Sequence, residues 1–235
     1  MIISKEVIFK GSTGRLEGKY YQSSEKGAPI ALVMHPHPLF GGTMNNKVIH
    51  SIAAGFLKHN FSVLRFNFRG VGKSSGVFDH GIGELLDAST ALDWLQSINP
   101  EARGCWVSGF SFGGWIALQL LMRRPEIFGF VVVSPPVNTY PFDFLSPCPI
   151  RGLVLHGGKD STVAESEVYK LYEKLDKQRH SDVEYIMIDN ACHAFKDHLS
   201  EVSNAIVAHL ESRINKGSVY VKAKKDRRRK SVLQE

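Results

Sequence analysis

The chain has 235 residues, 22% of them charged and 43% hydrophobic, with a formal net charge of +6. That length and balance suit one large α/β domain, and no apolar run approaches the roughly 18 residues needed to cross a bilayer. Met1–Glu6 lacks the long apolar core of a secretion signal, and Cys105, Cys148 and Cys192 are odd in number and widely spaced, so the expected compartment is the reducing cytoplasm.

The net charge is local. From Lys216 onward eight Lys/Arg face two Asp/Glu and carry the whole excess, leaving residues 1–215 balanced. The chain therefore reads as one domain over residues 1–213 followed by a basic tail, 214–235, too poor in apolar residues to pack. A solubilising extension is the plainer reading of the tail. Contact with RNA, DNA or anionic lipid is the sharper one.

Along the domain, strand-like and helix-like segments alternate, the pattern of a mostly parallel sheet with helices on both faces. Val7–Phe9 and Leu16–Tyr21 predict an opening antiparallel pair, and Ile30–Met34 a buried strand. Val48, Ile49, Ile52, Ala53, Phe56 and Leu57 mark one face of a helix. Ser62–Phe68 predicts the next strand, and Leu85, Ala88, Leu92 and Leu95 the helix after it. Then come a strand at Cys105–Ser108 and a helix over Trp115–Leu121, hydrophobic nearly all round. Phe130–Val133 and Gly152–His156 are further buried strands, and Val168, Leu171, Tyr172 and Leu175 a further helix face. Val183–Ile188 and a helix through Leu199, Val202, Ile206 and Leu210 close the domain, for about eight strands in all.

Gly109-Phe110-Ser111-Phe112-Gly113 reads G-x-S-x-G between an apolar strand and a buried helix, the context of a nucleophile elbow. Small residues two before and two after the serine are needed where strand and helix crowd a strained turn. A serine nucleophile needs a base and a group to orient that base. Asp160 directly follows the strand ending near His156, and His193 follows the last strand, in the order Ser, Asp, His at three strand ends. Taken singly, Asp160 could cap the next helix and His193 could be a surface histidine. His198 ranks below His193 because it is predicted to fall inside the closing helix. Taken together, Ser111, Asp160 and His193 read as a catalytic set.

An oxyanion needs two N–H donors. Phe112, the residue after the nucleophile, is one candidate. The other is expected in His35-Pro36-His37-Pro38-Leu39-Phe40-Gly41-Gly42, where the prolines have no N–H. That leaves His37 or Leu39, with His37 preferred by position. The H-x-H spacing of His35 and His37 could bind a metal, but no third ligand completes an obvious set, so no metal is expected and His35 reads as a buried brace. Gly70-Val71-Gly72-Lys73-Ser74 echoes a phosphate-binding loop but has Asn67 where that motif requires glycine, so nucleotide binding is not expected.

With these residues assembled, roughly residues 1–213 resemble the alpha/beta-hydrolase superfamily. Phe66–Ser74 looks like the family's x-R-G-x-G-x-S loop. His35-Pro36-His37-Pro38 with Phe40-Gly41-Gly42-Thr43-Met44-Asn45-Asn46-Lys47 resembles small bacterial hydrolases related to the dienelactone hydrolases. Those carry a cysteine nucleophile where Ser111 stands, so their lactone chemistry does not transfer. The resemblance implies a three-layer sandwich. Only Ser134–Arg151, rich in proline, occupies the place where many members insert a cap, so the lid is minimal, and Phe142, Phe144, Leu39 and Phe40 are candidates for an apolar wall or for loop anchors.

The expected activity is hydrolysis of an ester, thioester or related acyl bond of a small-molecule substrate, with no cofactor. A peptidase or amidase using the same residues, and a non-catalytic binding protein on the same scaffold, are the alternatives.

Overall fold

A computed structural model describes residues 3–145, 151–178 and 181–215. The expected opening pair is present and longer than its apolar residues indicate: β1 (Ile3–Gly11) and β2 (Gly14–Gln22) run antiparallel in full register. Six further strands follow: β3 (Ile30–Met34), β4 (Ser62–Phe66), β5 (Cys105–Phe110), β6 (Ile127–Val133), β7 (Arg151–Gly157) and β8 (Asp182–Ile188). Their order across the sheet is β1-β2-β4-β3-β5-β6-β7-β8. From β4 to β8 every pairing is parallel, and β2 meets β4 antiparallel.

The helices are α1 (Lys47–Leu57), α2 (Ile82–Ser97), α3 (Phe112–Leu121), α4 (Glu165–Asp176) and α5 (Leu199–Asn215). Strand side chains alternate between faces, and the core divides accordingly. Ile30, Leu32 and Met34 pack with α2, α3 and α4 on one side, while Ala31 and Val33 pack with α1 and α5 on the other. The result is the three-layer α/β sandwich that the sequence predicts. No helix among the described residues is long and apolar enough to cross a membrane.

Some boundaries differ from expectation. β4 stops at Phe66: the Asn67 N–H still reaches Glu17 O of β2, but the next N–H, of Phe68, is taken by the His35 ring. β6 begins at Ile127, three residues early, and α5 begins at Leu199, so His198 stands just ahead of the closing helix and accepts its first N–H bonds from Glu201 and Val202. α5 continues to Asn215, two residues past the expected domain end. Residues 216–235 of the basic tail, and Cys148, lie outside the described residues.

Edge strand β8 is secured from outside. His209 of α5 contacts Glu184 at 2.6 Å, and Arg213 pairs with Asp182. The topology leaves the C-terminal ends of β3, β5, β7 and β8 along one edge. There the strand order reverses around β3 and β5, the place where open α/β sheets carry their sites.

Candidate active site

Ser111 is the single residue between β5 and α3. Its backbone stands at φ 51° and ψ −120°, a conformation that costs a non-glycine residue about 1–3 kcal/mol. Packing enforces it. A Cβ on Gly109 would lie 2.2 Å from the Gly113 carbonyl carbon, and one on Gly113 would lie 2.2 Å from the Met34 carbonyl oxygen. The two motif glycines thus let strand, turn and helix touch backbone to backbone. The Ser111 N–H donates to Val133 O at 2.9 Å, and its carbonyl accepts from Gly114 and Trp115. The Ser111 side chain makes no capping hydrogen bond to α3, so its hydroxyl is not spent on the helix.

Asp160 and His193 meet as expected. His193 Nδ1 lies 2.7 Å from Asp160 Oδ2. Oδ1 of the same carboxylate accepts the N–H groups of Thr162 at 2.8 Å and Val163 at 3.0 Å. Asp160 therefore does not cap α4, whose first residue is Glu165. Burial alone would raise its pKa, but the His193 bond and the two backbone donors outweigh burial and hold it below the ordinary carboxylate value. The two loops are stitched together: Gly158 N–H donates to Ile188 O and Lys159 N–H to Ala191 O, both at 2.9 Å. The half-buried His193 ring packs 5.1 Å from the ring of Phe110, the residue immediately before Ser111. With Nδ1–H committed to Asp160, the neutral imidazole keeps its basic lone pair on Nε2.

The two loop amides differ in their hydrogen bonding. Leu39 N–H donates to Nδ1 of His37 at 3.2 Å and is spent. Among the described residues the His37 N–H has no acceptor, and Phe112, first in α3, has no intrahelical one. The His37 carbonyl accepts from Phe40 and Gly42, curling the loop back on itself.

His35 braces this loop from below. It is fully buried, its Nδ1–H donating to Pro36 O at 2.6 Å and its Nε2 accepting the Phe68 N–H at 3.1 Å. Both ring nitrogens are occupied, so His35 is not available to a metal. Among the described residues no group of three metal-ligating side chains occurs. Burial pushes its imidazole down to about 4. The glycine-rich loop after β4 is likewise filled by protein. Glu17 Oε2 accepts the Lys73 N–H at 2.8 Å and the Asn67 amide at 2.9 Å, placing a carboxylate where the motif's echo would seat a phosphate.

Several supporting residues carry no signal in the sequence. Asn67 accepts the Met44 N–H at 2.8 Å and Arg65 donates to the Met44 carbonyl, anchoring the far end of the loop that holds His37. Arg69 forms a two-pronged pair with the fully buried Asp87, tying the loop after β4 to α2. His156, buried beneath Asp160, donates from Nε2 to Val163 O at 3.1 Å and so steadies the turn that supplies Asp160 with donors. These partners are far apart in sequence and fall at no regular spacing.

A mostly parallel eight-stranded sheet with a serine at a strained turn after its fifth strand, and an Asp–His pair at the ends of two later strands, defines an alpha/beta hydrolase. The chain belongs to this superfamily: residues 31–149 match the family described as Serine aminopeptidase, S33. An uncharacterized protein of Rickettsia prowazekii (strain Madrid E) is 49% identical over 209 residues, covering 87% of this chain and 88% of that one. A protein of unknown function from Agrobacterium tumefaciens, provisionally assigned to the alpha/beta hydrolases, is 49% identical with a TM-score of 0.88, covering 93% of this chain and 100% of that one. An alpha/beta serine hydrolase without a lid from Xanthomonas campestris is 29% identical with a TM-score of 0.80, covering 89% and 94% of the two chains. The comparisons do not single out the dienelactone hydrolase group.

Proposed function

We propose that this chain is a serine hydrolase that cleaves an ester, thioester or related acyl bond of a small molecule through an acyl-enzyme on Ser111. The observation that carries the reading is the 2.7 Å bond between His193 and Asp160, beside a serine whose hydroxyl is left free by the helix it precedes.

In this reading Ser111 Oγ attacks the acyl carbon as Nε2 of His193 takes its proton. Asp160 holds the ring in the tautomer that exposes Nε2, then stabilises the imidazolium. The negative charge that develops on the substrate oxygen is met by the N–H groups of Phe112 and His37, the first reinforced by the positive end of α3. The tetrahedral species collapses, and the leaving group departs with the proton from Nε2. Water then gives a proton to His193 and attacks the acyl-serine. A second collapse returns the proton to Ser111 and releases the acid. Every step uses groups of the chain and water.

A peptidase or amidase with the same residues is the second reading, favoured by the description of the matching family. Matched ester and amide substrates of one acyl group separate the two. Ester turnover that is lost in Ser111→Ala, with the amide cleaved far more slowly, supports the proposal. Preferential amide cleavage supports the alternative, and turnover retained in Ser111→Ala refutes both.

A further inference from the structure

Among the described residues, five of the exposed apolar side chains lie on segments beside the candidate site, while others, such as Ile3 and Ile8 of β1, lie elsewhere. Leu39 and Phe40 of the His37 loop, Val77 of the loop after β4, and Ile82 and Leu86 of α2 are between 52% and 85% exposed. Exposed apolar groups gathered in this way mark a surface with an occupant. The patch is continuous with the residue that follows Ser111. The His37 ring lies 4.5 Å from that of Phe40, 4.8 Å from that of Phe78 and 5.1 Å from that of Phe112.

The ring of Phe78 lies 5.1 Å from that of His80, and His80 in turn lines a groove of about 410 Å³ between α2 and α3, walled by Ile82, Leu85, Leu86 and Trp115, with Gln119 and Arg123 also on its wall. Its wall is fixed in advance. The Trp115 indole N–H donates to Pro141 O at 3.0 Å, and the ring stacks on Tyr140 at 4.3 Å.

We infer that this groove receives the acyl chain of the substrate, and that the enzyme favours unbranched acyl groups of medium length over acetyl. The inference rests on the acyl-transfer reading above. Two arguments assign the occupant. The first is direction. His193, which must hand its proton to the leaving group, lies on the β8 side of Ser111, whereas α2 follows β4 on the opposite side of β5. The leaving group belongs to the first side, so the acyl portion extends toward the second. The second argument is reach. Trp115 and Gln119 stand one and two turns beyond Ser111, about 6 and 12 Å along α3, and Arg123 lies just past its last residue, Leu121. An extended methylene chain advances about 1.25 Å per carbon, from ordinary C–C bonds and angles. By that rise, acetyl and butyryl groups, about 1 and 4 Å long, are expected to end before Trp115. Chains of about six carbons and longer enter the groove, and the polar side chains of Gln119 and Arg123 end its apolar lining.

The test is kcat/KM for the 4-nitrophenyl esters of acetate, butyrate, hexanoate, octanoate and decanoate, measured on the full chain. The expected profile is nearly flat from acetate to butyrate, then rises about twofold per methylene to decanoate, half the effect of full burial because the groove is open. In Ile82→Ser/Leu86→Ser the decanoate-to-acetate ratio falls at least tenfold. In Leu86→Trp, which plugs the groove, the rise stops at a shorter chain. Ile8→Ser, on the exposed edge strand β1, leaves the profile unchanged. Ser111-dependent turnover with no dependence on chain length overturns the inference while sparing the acyl-transfer reading. So does a rise that survives both groove variants, or a change in solution mass on Ile82→Ser/Leu86→Ser with an unaltered profile, which would assign the patch to a second copy of the chain. Absence of Ser111-dependent turnover with every ester and every amide overturns the reading itself.

Discussion

Asp160 divides its two carboxylate oxygens between different tasks: Oδ2 takes the His193 Nδ1–H at 2.7 Å, and Oδ1 takes the backbone N–H groups of Thr162 and Val163. Replacing it by asparagine separates those tasks. In Asp160→Asn the amide oxygen can still hold the turn, while the amide NH2 faces His193 and forces Nδ1 to accept. The proton then sits on Nε2 and the base is lost. A fall in kcat of about 10⁴-fold with the melting temperature little changed is the expected outcome. Activity within tenfold of the parent would show that Asp160 does not orient the base.

The elbow glycines differ in what they can tolerate. Gly109→Ala and Gly113→Ala each drive a methyl into backbone at 2.2 Å, and each is expected to cost about 2–4 kcal/mol or prevent folding. Gly114→Ala meets Gly109 O at 3.3 Å and Val132 at 3.5 Å, and alanine gains up to about 1 kcal/mol in a helix, so it should change stability by about 1 kcal/mol or less. Urea unfolding of the three proteins checks the contrast.

Acid should weaken the fold through His35. Its folded pKa, about 4, lies below its ordinary value of 6.5. Between those two pH values the unfolded chain binds a proton that the folded chain refuses, so stability rises with pH there. The contribution is complete above about pH 6.5 and is lost progressively down to pH 4, by about 3 kcal/mol at 1.36 kcal/mol per pH unit. Asp160, held below its ordinary value, acts in the same direction at lower pH. Unfolding free energies from pH 7 to 4 should show this slope, and His35→Gln, which can still bond to Pro36 and Phe68, should reduce it, leaving the part due to His37, His50 and His156, whose imidazoles burial also lowers.

Arg69 and Asp87 form the buried ion pair that joins the loop after β4 to α2, where the proposed groove begins. Arg69→Met leaves the Asp87 charge buried without its partner and should cost about 3–5 kcal/mol. Arg69→Lys should recover little, because an ammonium cannot make both prongs. Arg69→Met/Asp87→Leu should recover much of the loss. Equal destabilisation in the single and double variants would contradict this account.

The sheet and the candidate triad could be read from sequence for one reason. β3 to β7 are buried on both faces, so they appear as mainly apolar runs, even where a buried polar residue such as Arg65 or Ser108 interrupts them, and the residues that follow each run mark its C-terminal end. Ser111 and Asp160 stand just after such runs, whereas His193 follows edge strand β8 and is placed by its order in the chain after Ser111 and Asp160. Edge strands lack that signature: β1 extends to Ile3 through Lys5 and Glu6, whose side chains face solvent. His198 was expected within a helix because Leu199, Val202 and Ile206 define the periodic face without fixing where it starts. The braces were not readable, since Asn67, Arg69 and His156 act through partners brought near only by the fold. The groove was hidden differently: Leu85 reads as an ordinary position on a helix face, and only the packing of α2 against α3 shows it lining an open channel.

The central claim is that Ser111 is activated by His193. Intact-mass analysis after exposure to a fluorophosphonate tests it most directly, with Ser111→Ala and His193→Ala alongside the parent. The account predicts one adduct on the parent, none on Ser111→Ala, and formation slowed by at least a hundredfold on His193→Ala. No adduct on folded parent protein, or equal labelling of the parent and Ser111→Ala, would contradict it.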